Sequence, residues 1–148
     1  HADFFNNAWA EKRLEELLVK HGIARGVFDT SALFALPSSH SPLVAGAQKK
    51  KPRYPIRATR TAGFAFVRFV GQPLVPDNRP FLEPWAKRIA EWLQAGDDVF
   101  FFTHMPEDIK SPVLSQYVYD MINEHISLPP LSAPDAADES DVVQPTLL

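Results

Sequence analysis

The stretch Phe64-Ala65-Phe66-Val67-Arg68-Phe69-Val70-Gly71 decides the fold. Strict alternation puts Phe66, Arg68 and Val70 on one face and Val67 and Phe69 on the other, so the run reads as a β-strand. Two more runs share its character, Gly26-Val27-Phe28-Asp29-Thr30 and Val99-Phe100-Phe101-Phe102-Thr103. Strands this nearly continuous in apolar residues are expected where both faces are buried, as in parallel sheets covered by helices. If Val67 and Phe69 face a helix layer, Arg68 points the other way. A guanidinium buried there needs a partner, because an unpaired buried charge costs several kcal/mol, roughly. Asp29 on the neighbouring strand is the natural candidate.

Helical signals separate these strands. Leu14, Leu17 and Leu18 recur at helical spacing within Trp9 to His21, with Asn7 as a cap and Gly22 as a left-handed stop. A second helix is expected from about Leu82 to Ala95, with Trp85, Ile89, Trp92 and Leu93 inward, Pro84 in its first turn and Gly96 beyond its end. A third starts at Ser111-Pro112 and buries Leu114, Tyr117, Val118, Met121 and Ile122. The long segment between Ser31 and Gly63 needs structure of its own. Ser41-Pro42 repeats the capping pair, and Lys49-Lys50-Lys51 would suit the negative end of a short helix before Pro52. Strands alternating with helices predict an α/β fold of parallel βα units.

Composition sets limits. The 148 residues are 45% hydrophobic and 22% charged, with a net charge of -3, which is enough chain for one domain with a core. The expected domain covers 1–126, and 127–148, rich in Pro and acids without a base, reads as a solvated tail. With no Cys, a disulfide framework, a thiol nucleophile and cysteine-ligated metals are excluded. No run is long and apolar enough to span a bilayer, and no secretory leader is visible, so a cytoplasmic protein is expected. Three parallel strands would leave two open edges, which predicts the C-terminal part of a larger α/β protein; a small complete three-layer domain is the alternative.

Several pieces occur in a familiar order: His1-Ala2-Asp3-Phe4-Phe5, Phe28-Asp29-Thr30, Lys49 to Arg53, Arg68-Phe69-Val70-Gly71, Asn78-Arg79, Trp92 and Phe102-Thr103-His104. In these the chain from His1 to about Ile126 resembles the YecE-like family, domain-of-unknown-function family seventy-two. The resemblance implies the C-terminal part of a (β/α) TIM-like barrel whose first half lies upstream. It implies no particular reaction. Many family members carry Asn-Asn where this chain has Thr103-His104.

In such a barrel, chemistry gathers at the C-terminal ends of the strands. The tips here offer Asp29 and His104 as proton-transfer candidates. Arg68, Asn78, Arg79 and Thr30 are candidates to bind an anionic or phosphorylated substrate, Arg68 with its two-pronged fork. Asp29 could equally be the ion-pair partner of Arg68, as could the Glu that the resemblance implies in a strand just before His1. A metal site drawing on His1, Asp29 and His104 lacks any dense ligand spacing, so no metal is assigned, and the cofactor is open. Between Thr30 and Pro76 there is no acid but seven bases: Lys49, Lys50, Lys51, Arg53, Arg57, Arg60 and Arg68. With Tyr54 among them, the 49–60 loop is an alternative nucleic-acid surface. The first expectation is therefore a hydrolase-like enzyme acting on an anionic small molecule, with nucleic-acid binding or a non-catalytic scaffold as alternatives. No Walker loop, Rossmann glycine pattern or Gly-x-Ser-x-Gly elbow is present. The oligomeric state is open.

Overall fold

A computed structural model describes residues 8–131. The chain runs α1 (Ala8–Lys20), β1 (Gly26–Asp29), α2 (Ser31–Ala35), α3 (Pro42–Lys50), β2 (Phe64–Val70), α4 (Arg79–Gln94), β3 (Asp98–His104) and α5 (Ser111–Asn123), with single 3-10 turns before α3, α4 and α5. The strands pair in parallel in the order β1-β2-β3. This is an α/β fold of parallel strands alternating with helices, as the sequence predicts.

Register fixes the faces. Val27 lies beside Val67, which lies beside Phe101; Asp29 lies beside Phe69, which lies beside Thr103. These residues face α4 and α5, where Val67 and Phe69 are fully buried among Leu82, Trp85, Ile89, Leu114, Val118 and Met121. Burying side chains of this size contributes roughly 1.5–3 kcal/mol each, so this layer holds the molecule together.

The opposite face carries Phe28, Arg68 and Phe102 in one row and Val70 beside His104 in the next. Among the described residues only its C-terminal end is covered, where Leu33 of α2 and Val44 of α3 close over Val70. Below that cover, Phe64, Phe66, Phe100 and Phe102 are 39–50% exposed. The expectation of strands buried on both faces is thus corrected: among the described residues one face is buried and the other is apolar but open. The apolar runs are continuous because phenylalanines occupy both faces of β3.

The helices also shift in detail. α4 begins at Arg79, so Pro80 occupies its first turn and Pro84 lies inside it. In α1 the leucine stripe is not the buried one; Leu17 is exposed, and Ala10 with Glu11 turns inward. Glu11 is held by Arg25 at 2.8 Å and Arg57 at 3.2 Å. The Arg25 guanidinium chiefly keeps its carboxyl below the usual carboxylate range, against the opposing effect of burial. Ser41 caps α3 through Val44 N–H, as expected. Asn7, part of the 127–148 tail (132–148) and His1 lie outside the described residues.

Gly71 closes β2 and tolerates no side chain. Its N–H donates to the His104 carbonyl at 2.8 Å, and an added Cβ would sit 2.6 Å from Asn78 Oδ1 and 3.0 Å from Leu114. Asn78 cannot give way. Fully buried, it accepts from Gln72 N–H and donates to the Gln72, Leu74 and Val75 carbonyls. Gly71→Ala is therefore expected to cost about 2 kcal/mol through overpacking, read by urea unfolding. A loss under about 0.5 kcal/mol would show that the Asn78 clamp yields.

Candidate functional site

The strand tips separate the sequence candidates by face. Arg68 lies on the open face, its guanidinium carbon 5.7 Å from the centre of the Phe28 ring. Asp29 lies on the other. It is 1% exposed, accepting from Trp85 Nε1–H at 2.7 Å and from Ser31 N–H at 2.8 Å. The expected Asp29–Arg68 pair is therefore corrected: register places Asp29 with Phe69, on the helix side, and places Phe28 beside Arg68. Among the described residues no carboxylate stands within ion-pair distance of Arg68.

Other tip residues serve the scaffold. Thr30 donates its hydroxyl to the Pro52 carbonyl at 3.0 Å, tying β1 to the end of α3. Asn78 is the clamp described above. Arg79 pairs with Glu124 at 3.1 Å and reaches Glu83 at 3.8 Å. The side-chain polar atoms of Asn78 are spent on the loop itself, and Arg79 is held by two carboxylates. Neither is brought to Arg68.

The structure instead gathers basic groups around His104. A cavity of about 350 Å³ is lined by Leu43, Lys50, Lys51, His104, Pro106 and Asp108, among others. It lies between one side of α3, from Pro42 to Lys51, and the loop after β3. A neighbouring recess of about 310 Å³, lined by Phe66, Arg68, Phe102, Thr103 and His104, shares His104 with it. His104 Nδ1 stands 2.9 Å from Asp108 Oδ1. Even so, its pKa is pushed below the ordinary 6.5, by burial first, then by the charge of Lys51, with Arg68 adding to the effect and Asp108 opposing it. The imidazole thus feels the charge of two cations, Lys51 and Arg68. Sequence reasoning named Arg68, His104 and Lys51 but assigned Lys51 to a different surface. Asp108 was missed; its only signal is the four-residue spacing from His104 across a loop.

The six bases of the 49–60 segment stand at separate places. Lys49, Lys50 and Lys51 end α3, and Arg53 lies 5.7 Å from the Phe34 ring centre. Arg57 pairs with Glu11, and Arg60 pairs with Asp97, the residue before β3. The loop runs from the C-terminal end of the sheet back to the start of β2, so its bases divide between the two ends. Tyr54 lines a small cavity with Glu11, Arg25 and Arg57.

Among the described residues no three of His, Cys, Asp and Glu are grouped closely enough to hold a metal ion. No described helix is long and apolar enough to cross a membrane.

Comparison with known proteins gives a family and no reaction. The UPF0759 protein YecE of Escherichia coli strain K12 is 29% identical over 133 residues, which are 90% of this chain and 47% of that protein. YecE of Escherichia coli O157:H7 is 28% identical over the same shares. The chain spans about half the length of the curated relatives it matches. No solved structure matches. The family model described as "Protein of unknown function DUF72" matches residues 1–138, and on that match the chain belongs to this family.

Proposed function

We propose that the cavity at the strand tips binds the anionic group of a small substrate, as part of a hydrolase-like enzyme site. Lys51 and Arg68 would hold the anion, and His104 would move a proton. One observation carries this reading: His104 lines two neighbouring recesses, one shared with Lys50, Lys51 and a single carboxylate, Asp108, and the other shared with Arg68. Such a field concentrates anions, and charge-assisted hydrogen bonds to them are the strong kind. Asp108 would keep the Nδ1–H tautomer of His104 and leave Nε2 for the substrate.

The surrounding architecture fits a site of this kind. We read the sheet as an arc of a (β/α) barrel, within a domain covering 1–126. Its strands are parallel and neighbours in sequence order, α4 and α5 lie on one face, and phenylalanines line the other. The relatives have about twice this length, enough for further strands to close over the open face. Catalysis in such barrels sits at the end where Arg68 and His104 stand.

The test is the pH dependence of sulfate binding, since sulfate keeps its charge across the range while His104 does not. A depressed folded pKa means the unfolded chain takes up this proton first, so His104 weakens folding as pH falls below 6.5. A bound anion reverses the preference, because it favours imidazolium. Calorimetry should show sulfate affinity rising about tenfold as pH falls from above 6.5 toward 5, the effect of one added charge-assisted bond. His104→Gln should flatten that profile. A wild-type affinity independent of pH would remove His104 from the site.

A further inference from the structure

We propose that the organic half of the substrate is a short aliphatic chain without hydroxyls, and that Gly46 is the residue that admits it, so that the substrate class is a small alkyl phosphomonoester. This rests on the anion site above and adds the substrate's other half. The support is the composition of the cavity along α3. Leu43, Gly46, Ala47 and Lys50 recur at three- and four-residue spacing and line it from one face of the helix. The first half of that face is apolar, and its last turn carries Lys50, with Lys51 just beyond. From the loop after β3, Pro106 adds a further apolar residue beside His104 and Asp108. No phenylalanine of the open sheet face lines this cavity, which sits at the end where α2 and α3 close over Val70.

Gly46 is the unusual member. It stands in the middle of α3, where glycine is less favourable than alanine because ordering it costs more chain entropy. Packing among the described residues does not require it, since a Cβ built there meets nothing within 4 Å. The contrast is Gly71, where the same addition sits 2.6 Å from Asn78 Oδ1. What the missing side chain leaves is room, in a cavity of about 350 Å³, the scale of small-molecule sites and more than a bare oxyanion needs. The helical rise puts Gly46 about 6 Å along the axis from Lys50, within reach of a three-carbon chain esterified to an anion held at the last turn of α3. Hydroxyls on that chain would find no side-chain partner on Leu43, Gly46, Ala47 or Pro106, and burying one unpaired is unfavourable. Plain methylenes lose nothing there and gain by leaving water.

The experiment compares three esters of equal charge on the full chain by calorimetry: methyl phosphate, propyl phosphate and glycerol phosphate. Propyl phosphate should bind about tenfold more tightly than methyl phosphate, and glycerol phosphate no more than about twofold more tightly. Gly46→Leu puts a side chain into the room, so it should cut the propyl advantage to less than about threefold. The same variant should bind methyl phosphate as before and melt no lower than the wild type. Where Gly46→Leu does not fold, Gly46→Ala serves, because it adds one carbon with a better helix former, and it should about halve the advantage. If neither folds, Gly46 is a packing requirement and the assignment falls. Equal wild-type affinities for the methyl and propyl esters overturn this inference alone, as does glycerol phosphate binding as tightly as propyl phosphate. A folded variant that keeps the full propyl advantage, or that loses all three esters equally, overturns it too. No binding of any ester overturns both this inference and the anion reading beneath it.

Discussion

Asp29→Ala is expected to lower the stability of the fold by about 3 kcal/mol. Its carboxyl is buried, and two donors depend on it: the Trp85 indole N–H and the Ser31 backbone N–H that begins α2. Alanine removes both acceptors, and each orphaned buried donor costs about 1–3 kcal/mol. The damage reaches beyond one bond. Trp85 is 4% exposed, packs against Phe101 and Trp92, and carries the contact between α4 and β1. Asp29→Asn, which keeps one carbonyl acceptor, should lose about half as much. Urea unfolding followed by tryptophan fluorescence reads both. A loss below about 1 kcal/mol for Asp29→Ala would mean that this carboxyl is not a structural post, and would return it to the list of groups free for chemistry.

Arg68→Ala should do the reverse. Arg68 is exposed, and among the described residues it pairs with no carboxylate, so its removal leaves no buried charge behind. Stability should change by less than about 1 kcal/mol. Phosphate affinity should fall by roughly tenfold to a hundredfold, since a hydrogen bond to a charged group contributes about 1.5–3 kcal/mol. Calorimetric titration beside a thermal melt separates the two effects. A variant that unfolds would mark Arg68 as a structural cation, and one that binds phosphate as before would take it out of the site.

These opposite fates of neighbouring polar residues show what the sequence can and cannot reveal. The faces of β2 are legible because Val67 and Phe69 alternate with Arg68 over a long run. The strands, the capping of α3 by Ser41 and the stop at Gly96, with φ of 86°, follow from local chemistry that sequence states directly. Charge complementarity makes Arg68 look like the partner of Asp29, but parity within β1 puts Asp29 with Val27 on the helix side. Two residues adjacent in a sheet can point to opposite layers, and opposite charge does not override that geometry. The junction of Lys51 with His104 was less legible, since it depends on how α2 and α3 fold back over Val70. In α1 the leucine stripe misleads because the ion pairs of Glu11, rather than apolar contacts, turn the other face inward.

The most direct measurement follows the imidazole and indole resonances of the isotope-labelled chain while inorganic phosphate is titrated in. The account predicts that the His104 ring signals move and saturate, and that the Trp85 indole N–H, bonded to Asp29 on the far side of the sheet, stays in place. A His104 signal that does not move at high phosphate, or a shift centred on Trp85 instead, would contradict an anion site at these strand tips.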